Sequence, residues 1–190
     1  MTRTALAALL LTLTLSGAQA QMNHGNHGTP GQSAPASGSD LSRLEGKAFD
    51  RTFLSMMVAH HQGAVDMAQA ALKRARDPQV RRWAQAVIQE QQREIAQMNA
   101  WLRALGGADR AAQASMGREM ASMTADIRND QNAERAFVLG MLPHHASALE
   151  MASLALQRSS DARVLELSRD IIRAQADEMY AYRQWLLKRR

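Results

Sequence analysis

The sequence predicts an all-α protein, a four-helix bundle built from two repeated helical hairpins. Apolar residues recur at helical spacing from Asp40 onward, which indicates long amphipathic helices. Aromatic residues make up only 4% of the chain, whereas methionine occurs 12 times, and this composition favours helices over a sheet. The third observation is an internal repeat of a helix pair. Two hairpins supply four apolar stripes, which a four-helix bundle buries.

The N-terminal part of the chain, before Asp40, is expected to lie outside the bundle. Residues 1–20 combine an early Arg3, a short apolar stretch and a small-residue cleavage site, the pattern of a secretory signal peptide. The stretch is too short to span a bilayer, so we expect cleavage and no membrane anchor. Residues 21–39 are rich in Gly, Ser and Pro and predict a disordered tail. The protein is therefore expected to be exported, to the periplasm or as a secreted protein.

Residues 40–190 are predicted to form one domain in three parts. Repeat one covers about 40–106, a connecting segment covers about 107–129, and repeat two covers about 130–190. FLSMMVAHHQGAVDMAQAAL, which begins at Phe53, aligns with FVLGMLPHHASALEMASLAL, which begins at Phe137. At the same offset Gln91 matches Gln175, Glu94 matches Glu178 and Trp101 matches Trp185. Each repeat is therefore predicted to be one hairpin of two helices.

Local signals predict where the helices begin and end. Ser42 and Glu45 have capping-box spacing at the start of the first helix, and Asp77 precedes a first-turn proline in the second. Gly106-Gly107 is expected to end the second helix, and Ser160 or Asp161 to cap the fourth. The connecting segment is predicted to form a short extra helix, or an extension of the third, over one end of the bundle. Its signal is the helical spacing of Met116, Met120 and Met123.

Each repeat places two adjacent histidines on the apolar side of its first helix. A helical projection sets these histidines among methionines, and sets a glutamine and a glutamate on or beside the buried face of the second helix. Burying such groups without partners costs about 1–3 kcal/mol each, so they must bind one another, water or an ion. The residues concerned are His60, His61, Met57, Met67, Gln91 and Glu94 in the first repeat, and His144, His145, Met141, Met151, Gln175 and Glu178 in the second.

The pairing of imidazole with thioether points to a metal site. Imidazole binds several transition metals, whereas thioether adds affinity mainly for Cu(I), so copper is expected first, with zinc or iron as alternatives. The chain has no cysteine, which excludes disulfides and thiolate sites. All 6 histidines lie in three close pairs. The pair His24 and His27, in the tail, fits a metal-scavenging arm and a polar linker about equally well.

Two other functions remain open at the level of the sequence. A structural or interaction bundle would use the histidines, glutamines and glutamates only as a buried hydrogen-bond network. A metal-dependent oxidoreductase would need several inward acids and a Glu-x-x-His spacing, which is absent, so binding is expected rather than catalysis. The net charge is +5, but arginines alternate with acids, which indicates solvated faces. Nucleic acid is therefore not an expected partner.

The doubled histidine motif resembles that of a bacterial secreted family catalogued as domain of unknown function 305. Its Met-x-x-His-His-x-x-Ala element matches residues 57–64 and 141–148, and Gln91, Glu94, Met98 and Trp101 resemble its second-helix pattern. The second copy departs by carrying Tyr182 in place of methionine, Gly140 where the first copy has Met56, and Pro143, which is expected to kink its helix and so to make the two sites differ in affinity. The resemblance implies a ferritin-like four-helix fold and, for some members, copper binding and copper tolerance outside the cytoplasm.

The expected function is that of an exported metal-binding protein that buffers, sequesters or delivers copper. The ligand candidates are His60, His61, Met57 and Met67 in one half and His144, His145, Met141 and Met151 in the other. Gln91, Glu94, Gln175 and Glu178 are expected to orient the imidazoles or to ligate occasionally. One helix offers only two or three ligands in one direction. The partner hairpin, or a second subunit of a homodimer, is therefore expected to complete each site, and a delivery role would require a metal-transfer partner protein.

Overall fold

The computed structural model describes residues 41–189, and this part of the chain contains helices and no strand. A 3-10 turn, Leu41–Arg43, precedes five α-helices, so the prediction of an all-helical bundle is confirmed. None of these helices combines the length and the apolar character needed to cross a membrane. The predicted signal peptide and the tail with His24 and His27 lie outside the described residues. The helices are α1 Gly46–Leu72, α2 Pro78–Ala104, α3 Arg110–Asn129, α4 Ala133–Arg158 and α5 Ala162–Leu187.

Four of the five helices begin at a side-chain cap. Asp77 accepts hydrogen bonds from the backbone N–H groups of Gln79 and Val80, and Pro78 opens α2 as predicted. The other caps are Asp109 for α3, Asn132 for α4 and Asp161 for α5. Gly106 and Gly107, with φ values of +89° and +90°, end α2 as expected.

The predicted capping box at Ser42 and Glu45 is wrong. Glu45 occupies the N-cap position of α1, but its side chain makes no capping hydrogen bond. Ser42 lies in the preceding 3-10 turn, and Leu41 of that turn is buried against the core. Burial of Leu41 makes the chain enter α1 through a separate turn, and Gly46, with φ of +54°, allows the change of direction.

The connecting segment forms a full helix, α3, which corrects the expectation of a short helix over one end of the bundle. It packs lengthwise against α1 and to a smaller extent against α4. Arginine side chains from α1 and from the turn after α1 hold the two ends of α3. Before α3, Arg51 donates to the carbonyl of Gly107 at 2.8 Å and to that of Ala108 at 2.9 Å. After α3, Arg74 donates to the carbonyl of Asp130 at 2.6 Å. The fold is thus two hairpins with a fifth helix laid along the first.

A polar layer divides the hydrophobic core into two clusters. One, the Phe49 cluster, includes Phe49, Phe53, Met57, Met98, Ala148 and Ile171. The other, the Tyr182 cluster, includes Met67, Val80, Val87, Phe137, Met141 and Tyr182. Along each of α1, α2, α4 and α5, one end belongs to the first cluster and the other end to the second. The residues between them are those of the polar layer, which we define as His60, His61, Gln91, Glu94, His144, His145, Gln175 and Glu178.

Candidate metal centre

The four histidines of the polar layer form a row across the contact between α1 and α4. All four side chains have 0% exposure. The ring centroids of His60 and His144 lie 3.8 Å apart at the centre. His61 extends the row on one side, 6.2 Å from His60, and His145 extends it on the other, 5.9 Å from His144. The two histidine pairs, which belong to different repeats of the sequence, therefore meet in one interior.

A glutamate contacts each outer histidine. Glu94 Oε2 lies 2.6 Å from His61 Nε2, and Glu178 Oε2 lies 2.7 Å from His145 Nε2. The second pair is less well aligned for a hydrogen bond than the first. Each glutamate is about one-fifth exposed, at 22% and 21%, so its carboxylate joins a buried ring to the solvent side of the bundle. A carboxylate that accepts from one ring nitrogen leaves the other nitrogen as the lone-pair donor.

The inner histidines contact the opposite helix. His144 Nε2 lies 3.0 Å from the backbone carbonyl oxygen of His60, which can only accept, so Nε2 of His144 carries the proton. His60 Nε2 lies 3.4 Å from the hydroxyl of Ser147. The Nδ1 atoms of all four histidines are buried without a hydrogen-bond partner, and so are the Oε1 atoms of Gln91 and Gln175. Nε2 of His145 also lacks a hydrogen-bond partner, so the layer holds seven buried polar atoms that no protein group satisfies.

The inner histidines are kept neutral by their surroundings. Burial, followed by the other three histidines, holds the pKa of His60 well below 6.5. Burial and the neighbouring His145 lower the pKa of His144 to about 3. Neutral imidazole is the form that binds a metal, and no proton has to be displaced from it at neutral pH.

The four candidate methionines lie on both sides of the polar layer. Met57 and Met151 belong to the Phe49 cluster, whereas Met67 and Met141 belong to the Tyr182 cluster. Met57, Met67 and Met141 have 0% exposure, and Met151 is half-buried. In each repeat one methionine precedes the histidine pair and the other follows it along the helix. The two methionines of a repeat therefore lie in different clusters, on opposite sides of the polar layer.

Among residues 41–189, no group of three or more histidine, aspartate or glutamate side chains is close enough to hold one ion in this conformation. The unsatisfied Nδ1 atoms fit a soft metal ion, but they do not complete a ligand set by themselves. A complete set would have to include thioether sulfur or would form after rotation of a side chain. Methionine has three rotatable bonds, so the methionines on either side of the layer suit such an adjustment.

Tyr182 and Ser147 contact the layer but were not among the predicted site residues. The ring of Tyr182 stacks on that of His145, with centroids 5.7 Å apart and an angle of 24°. Its hydroxyl is buried without a hydrogen-bond partner. Tyr182 occupies the position in the second repeat that Met98 occupies in the first, and this departure from the repeat was the available signal. No signal in the sequence marked Ser147, which lies within α4 and belongs to no recognisable motif.

An open groove between α2 and α5 leads to one end of the histidine row. Glu94, Glu90, Glu166, Asp170, Arg93 and Arg163 are among the residues that line it. Burial, with the carboxylates of Glu178 and Glu94 nearby, raises the pKa of Glu90. Glu90 and Glu94 thus place two carboxylates in the groove, and that of Glu94 contacts the buried ring of His61.

Comparison with solved structures identifies copper-bound relatives. CopM in its Cu(I)-bound form is 32% identical to this chain with a TM-score of 0.62, and the match covers 73% of this chain and 96% of CopM. CopM has also been solved with Cu(II) and with silver. A DUF305 protein from Streptomyces coelicolor, predicted to be secreted, is 25% identical with a TM-score of 0.65, over 74% of this chain and 93% of that one. A DUF305 fragment from Deinococcus radiodurans is 26% identical with a TM-score of 0.61, over 73% and 95%.

The family model described as domain of unknown function (DUF305) matches residues 5–102 and 134–190. The comparison with curated proteins gave no match. The unmatched interval, 103–133, contains all of α3 and both loops that flank it. Nearly all of both hairpins falls within the matched ranges, as do all eight residues of the polar layer. The chain therefore belongs to the DUF305 family, as the histidine motifs predicted.

Proposed function

We propose that this protein is an exported copper-binding protein whose polar layer binds the metal. The observation that carries the proposal is the set of four buried Nδ1 atoms without partners, in side chains whose Nε2 atoms already face Glu94, Glu178, Ser147 or a backbone carbonyl. The copper-bound and silver-bound forms of CopM, relatives at 32% and 33% identity, support the same metal class.

The proposed ligands come from two residue types. The Nδ1 atoms of His60, His61, His144 and His145 supply neutral nitrogen donors, and Met57, Met67, Met141 and Met151 supply thioether sulfur. Glu94 and Glu178 act on the outer histidines, because a carboxylate at Nε2 fixes the tautomer and raises the basicity of Nδ1. Gln91 and Gln175 contribute amide oxygens that lack other partners. Sulfur together with imidazole selects Cu(I) over harder ions, with zinc or iron as weaker alternatives.

Copper reaches the layer, in this proposal, through the groove between α2 and α5. The side chains of Glu94 and Glu178 are partly exposed, whereas the histidines behind them have no exposure. A small rotation of the Glu94 side chain would open His61 to an ion held in the groove. The same carboxylate would then return to Nε2 and orient the ligated ring.

A purely structural hydrogen-bond network is the competing explanation for the layer. It accounts for the Nε2 contacts of His61 and His144, since each meets an acceptor. It does not account for four Nδ1 atoms and two amide oxygens that are buried without partners. Each buried polar atom without a hydrogen bond lowers the stability of the fold by about 1–3 kcal/mol, so a network that served only stability would pair them. Copper binding gives these atoms a partner.

Anaerobic titration with Cu(I) against a chromophoric competitor tests the proposal. We expect the natural protein to take copper from the competitor, and a variant with His60, His61, His144 and His145 changed to Ala to take fewer equivalents of Cu(I). The matched control changes only His24 and His27 to Ala and is expected to retain binding at the layer. Circular dichroism establishes that the variants are folded. Equal binding by the natural protein and the folded fourfold variant would show that the layer is structural.

Export, dimer formation and a transfer partner are further parts of the proposal. The sequence of residues 1–20 supports export, and a location outside the cytoplasm fits a metal site built without cysteine. Fractionation of cells that produce the full chain tests the location, and the mass of the secreted form tests cleavage near residue 20. Light scattering with and without Cu(I) tests whether a second subunit completes the site.

A further inference from the structure

Five methionine side chains meet between α1, α3 and α4, on a side of α1 that the polar layer does not use. Met116 and Met120 of α3 form the buried centre together with Ala59 of α1. Met56 of α1, Met123 of α3 and Met151 of α4 pack against this centre and are half-buried. We call this group the methionine cluster and define it as Met56, Met116, Met120, Met123 and Met151.

The composition of the methionine cluster differs from that of the rest of the core. It contains five of the ten methionines in residues 41–189, and its buried centre adds only Ala59, while Met56 and Met151 also pack against the Phe49 cluster and Met123 against the Tyr182 cluster. The Phe49 and Tyr182 clusters, in contrast, are built mainly from aromatic, branched and small side chains. Methionine is a common gap filler in hydrophobic cores, and single methionines need no other explanation. Here five thioethers from three helices belong to one group, which places several soft donor atoms in the same region.

Close backbone packing holds the methionine cluster in place. An added Cβ at Gly63 would lie 2.5 Å from Cβ of Met120, so α3 approaches α1 as closely as a glycine permits. The second repeat has no methionine at the position that corresponds to Met56. Gly140 stands where the first repeat has Met56, and the methyl group of Met67 and the side chain of Ile127 fill the space beside it. The methionine cluster therefore has no counterpart beside the equivalent part of α4, although α1 and α4 are corresponding helices of the two repeats.

Thioether chemistry indicates which ion this group would take. Sulfur in methionine is a neutral, soft donor that prefers Cu(I), and the similar soft ion Ag(I), over Zn(II) and other hard ions. It has no proton to lose, so its affinity for a metal does not fall in mild acid as that of imidazole does. The half-buried positions of Met56, Met123 and Met151 give a soluble ion access to the buried pair.

We propose that the methionine cluster is a second metal site, specific for Cu(I) and separate from the histidines of the polar layer. The proposal goes beyond the function assigned above, because it uses no nitrogen donor and stands even if the polar layer is structural. Met151 is the one residue that the two proposals share. A site on each side of α1 would let the protein hold Cu(I) on thioether donors as well as on imidazole donors.

The test uses the methyl groups of methionine as reporters in the complete protein. Methionine methyl groups are labelled with carbon-13, and Ag(I) is added as a probe that does not change oxidation state. We expect the signals of Met116, Met120 and Met123 to shift at pH 7 and also at pH 5.5, and Zn(II) to leave them unmoved. If these signals stay in place, or if they shift at pH 7 but not at pH 5.5, the proposal is wrong.

A set of variants measures the stoichiometry. Met116, Met120 and Met123 are changed together to Leu, which nearly conserves volume. The matched control changes Met98 and Met179, which lie outside the cluster, to Leu. We expect the first variant to bind one equivalent of Cu(I) fewer than the natural protein, with Cu(II) binding unchanged, and the control to lose none. Undiminished Cu(I) binding by the folded triple variant would overturn the proposal, and the methyl signals decide the question if that variant does not fold.

Discussion

The contact between Glu94 and His61 shows how a single carboxylate prepares a buried imidazole for a metal. The carboxylate accepts from Nε2 at 2.6 Å and leaves Nδ1 free, and Glu178 lies 2.7 Å from Nε2 of His145 with poorer alignment for a hydrogen bond. The sequence predicted that both glutamates would lie at the edge of the buried face beside the histidines. It did not give the tautomers, because these depend on which nitrogen meets an acceptor in the folded bundle.

Replacing this carboxylate by an amide tests its role. In Glu94→Gln the side chain keeps its size and can still accept from Nε2, but the charge that raises the basicity of Nδ1 is lost. We expect the affinity for Cu(I) to fall by about 10- to 100-fold, the usual effect of losing such a partner. Competitive titration measures the change. Glu166→Gln, in the same groove but paired with Arg169 at the surface, serves as the control, and an equal loss in both variants would contradict a specific role for Glu94.

The pKa values of the inner histidines predict how stability depends on pH. The pKa values of His60 and His144 are lowered from 6.5, that of His144 to about 3, so the folded state binds fewer protons than the unfolded state between these values. The contribution of these histidines to stability is therefore complete above about pH 6.5 and decreases as the pH falls below it, by at most about 1.4 kcal/mol per pH unit for each histidine that stays neutral in the folded state. Urea unfolding of the metal-free protein at several pH values measures the slope.

The control for this prediction removes both titrating groups. A variant with His60 and His144 changed to Gln cannot gain these protons, so its stability should vary less between pH 6.5 and pH 4. Carboxylates that titrate in the same range affect both proteins alike, and the difference between the two slopes isolates the histidines. Identical slopes would mean that the inner histidines do not resist protonation in the folded state.

At the scale of the helices, α3 depends on a glycine in its neighbour. Gly63→Ala should destabilise the protein by about 1–3 kcal/mol, because the new Cβ would overlap the side chain of Met120. Gly117→Ala is the matched control, since its Cβ would meet nothing within 4 Å, and it should stabilise α3 by up to about 1 kcal/mol. Denaturant unfolding measures both changes. Equal effects of the two substitutions would contradict the close packing of α3 on α1.

The sequence predicted the four long helices better than it predicted α3. Asp77 before Pro78 and the paired glycines at 106 and 107 are local signals, and the structure uses them as expected. The methionine spacing in the connecting segment predicted a helix, but it gave neither the length of the helix nor its place along α1. That place is set by Gly63 of α1, where α3 packs closely. The sequence around Gly63 does not show that another helix packs there.

At the scale of the whole molecule, the polar layer joins all four helices of the two hairpins. The four helices each contribute two layer residues, so a metal bound there would connect all four helices through one set of ligands. The repeat predicted which residues would face inward, since the same residue types recur at matching positions of the two hairpins. It could not predict that His60 and His144 would touch, because their separation depends on how closely α1 and α4 pack.

Binding of copper at this layer should stabilise the whole fold. An ion that binds the folded state and not the unfolded state adds about 2.7 kcal/mol when its free concentration is 100 times Kd. We therefore expect Cu(I), under anaerobic conditions, to raise the unfolding temperature of the natural protein. The variant with all four layer histidines changed to Ala should show a smaller increase, because it keeps only the methionine cluster. A rise of the same size in both proteins would place the stabilising site elsewhere.

The location of bound copper tests the central claim most directly. Crystals of the protein loaded with Cu(I) without oxygen would be measured at a wavelength where copper scatters anomalously, so that the metal position is seen independently of any model. We expect a copper peak within bonding distance of Nδ1 of at least one histidine in the polar layer. Copper peaks at the methionine cluster or the surface, with none at the layer, would contradict it.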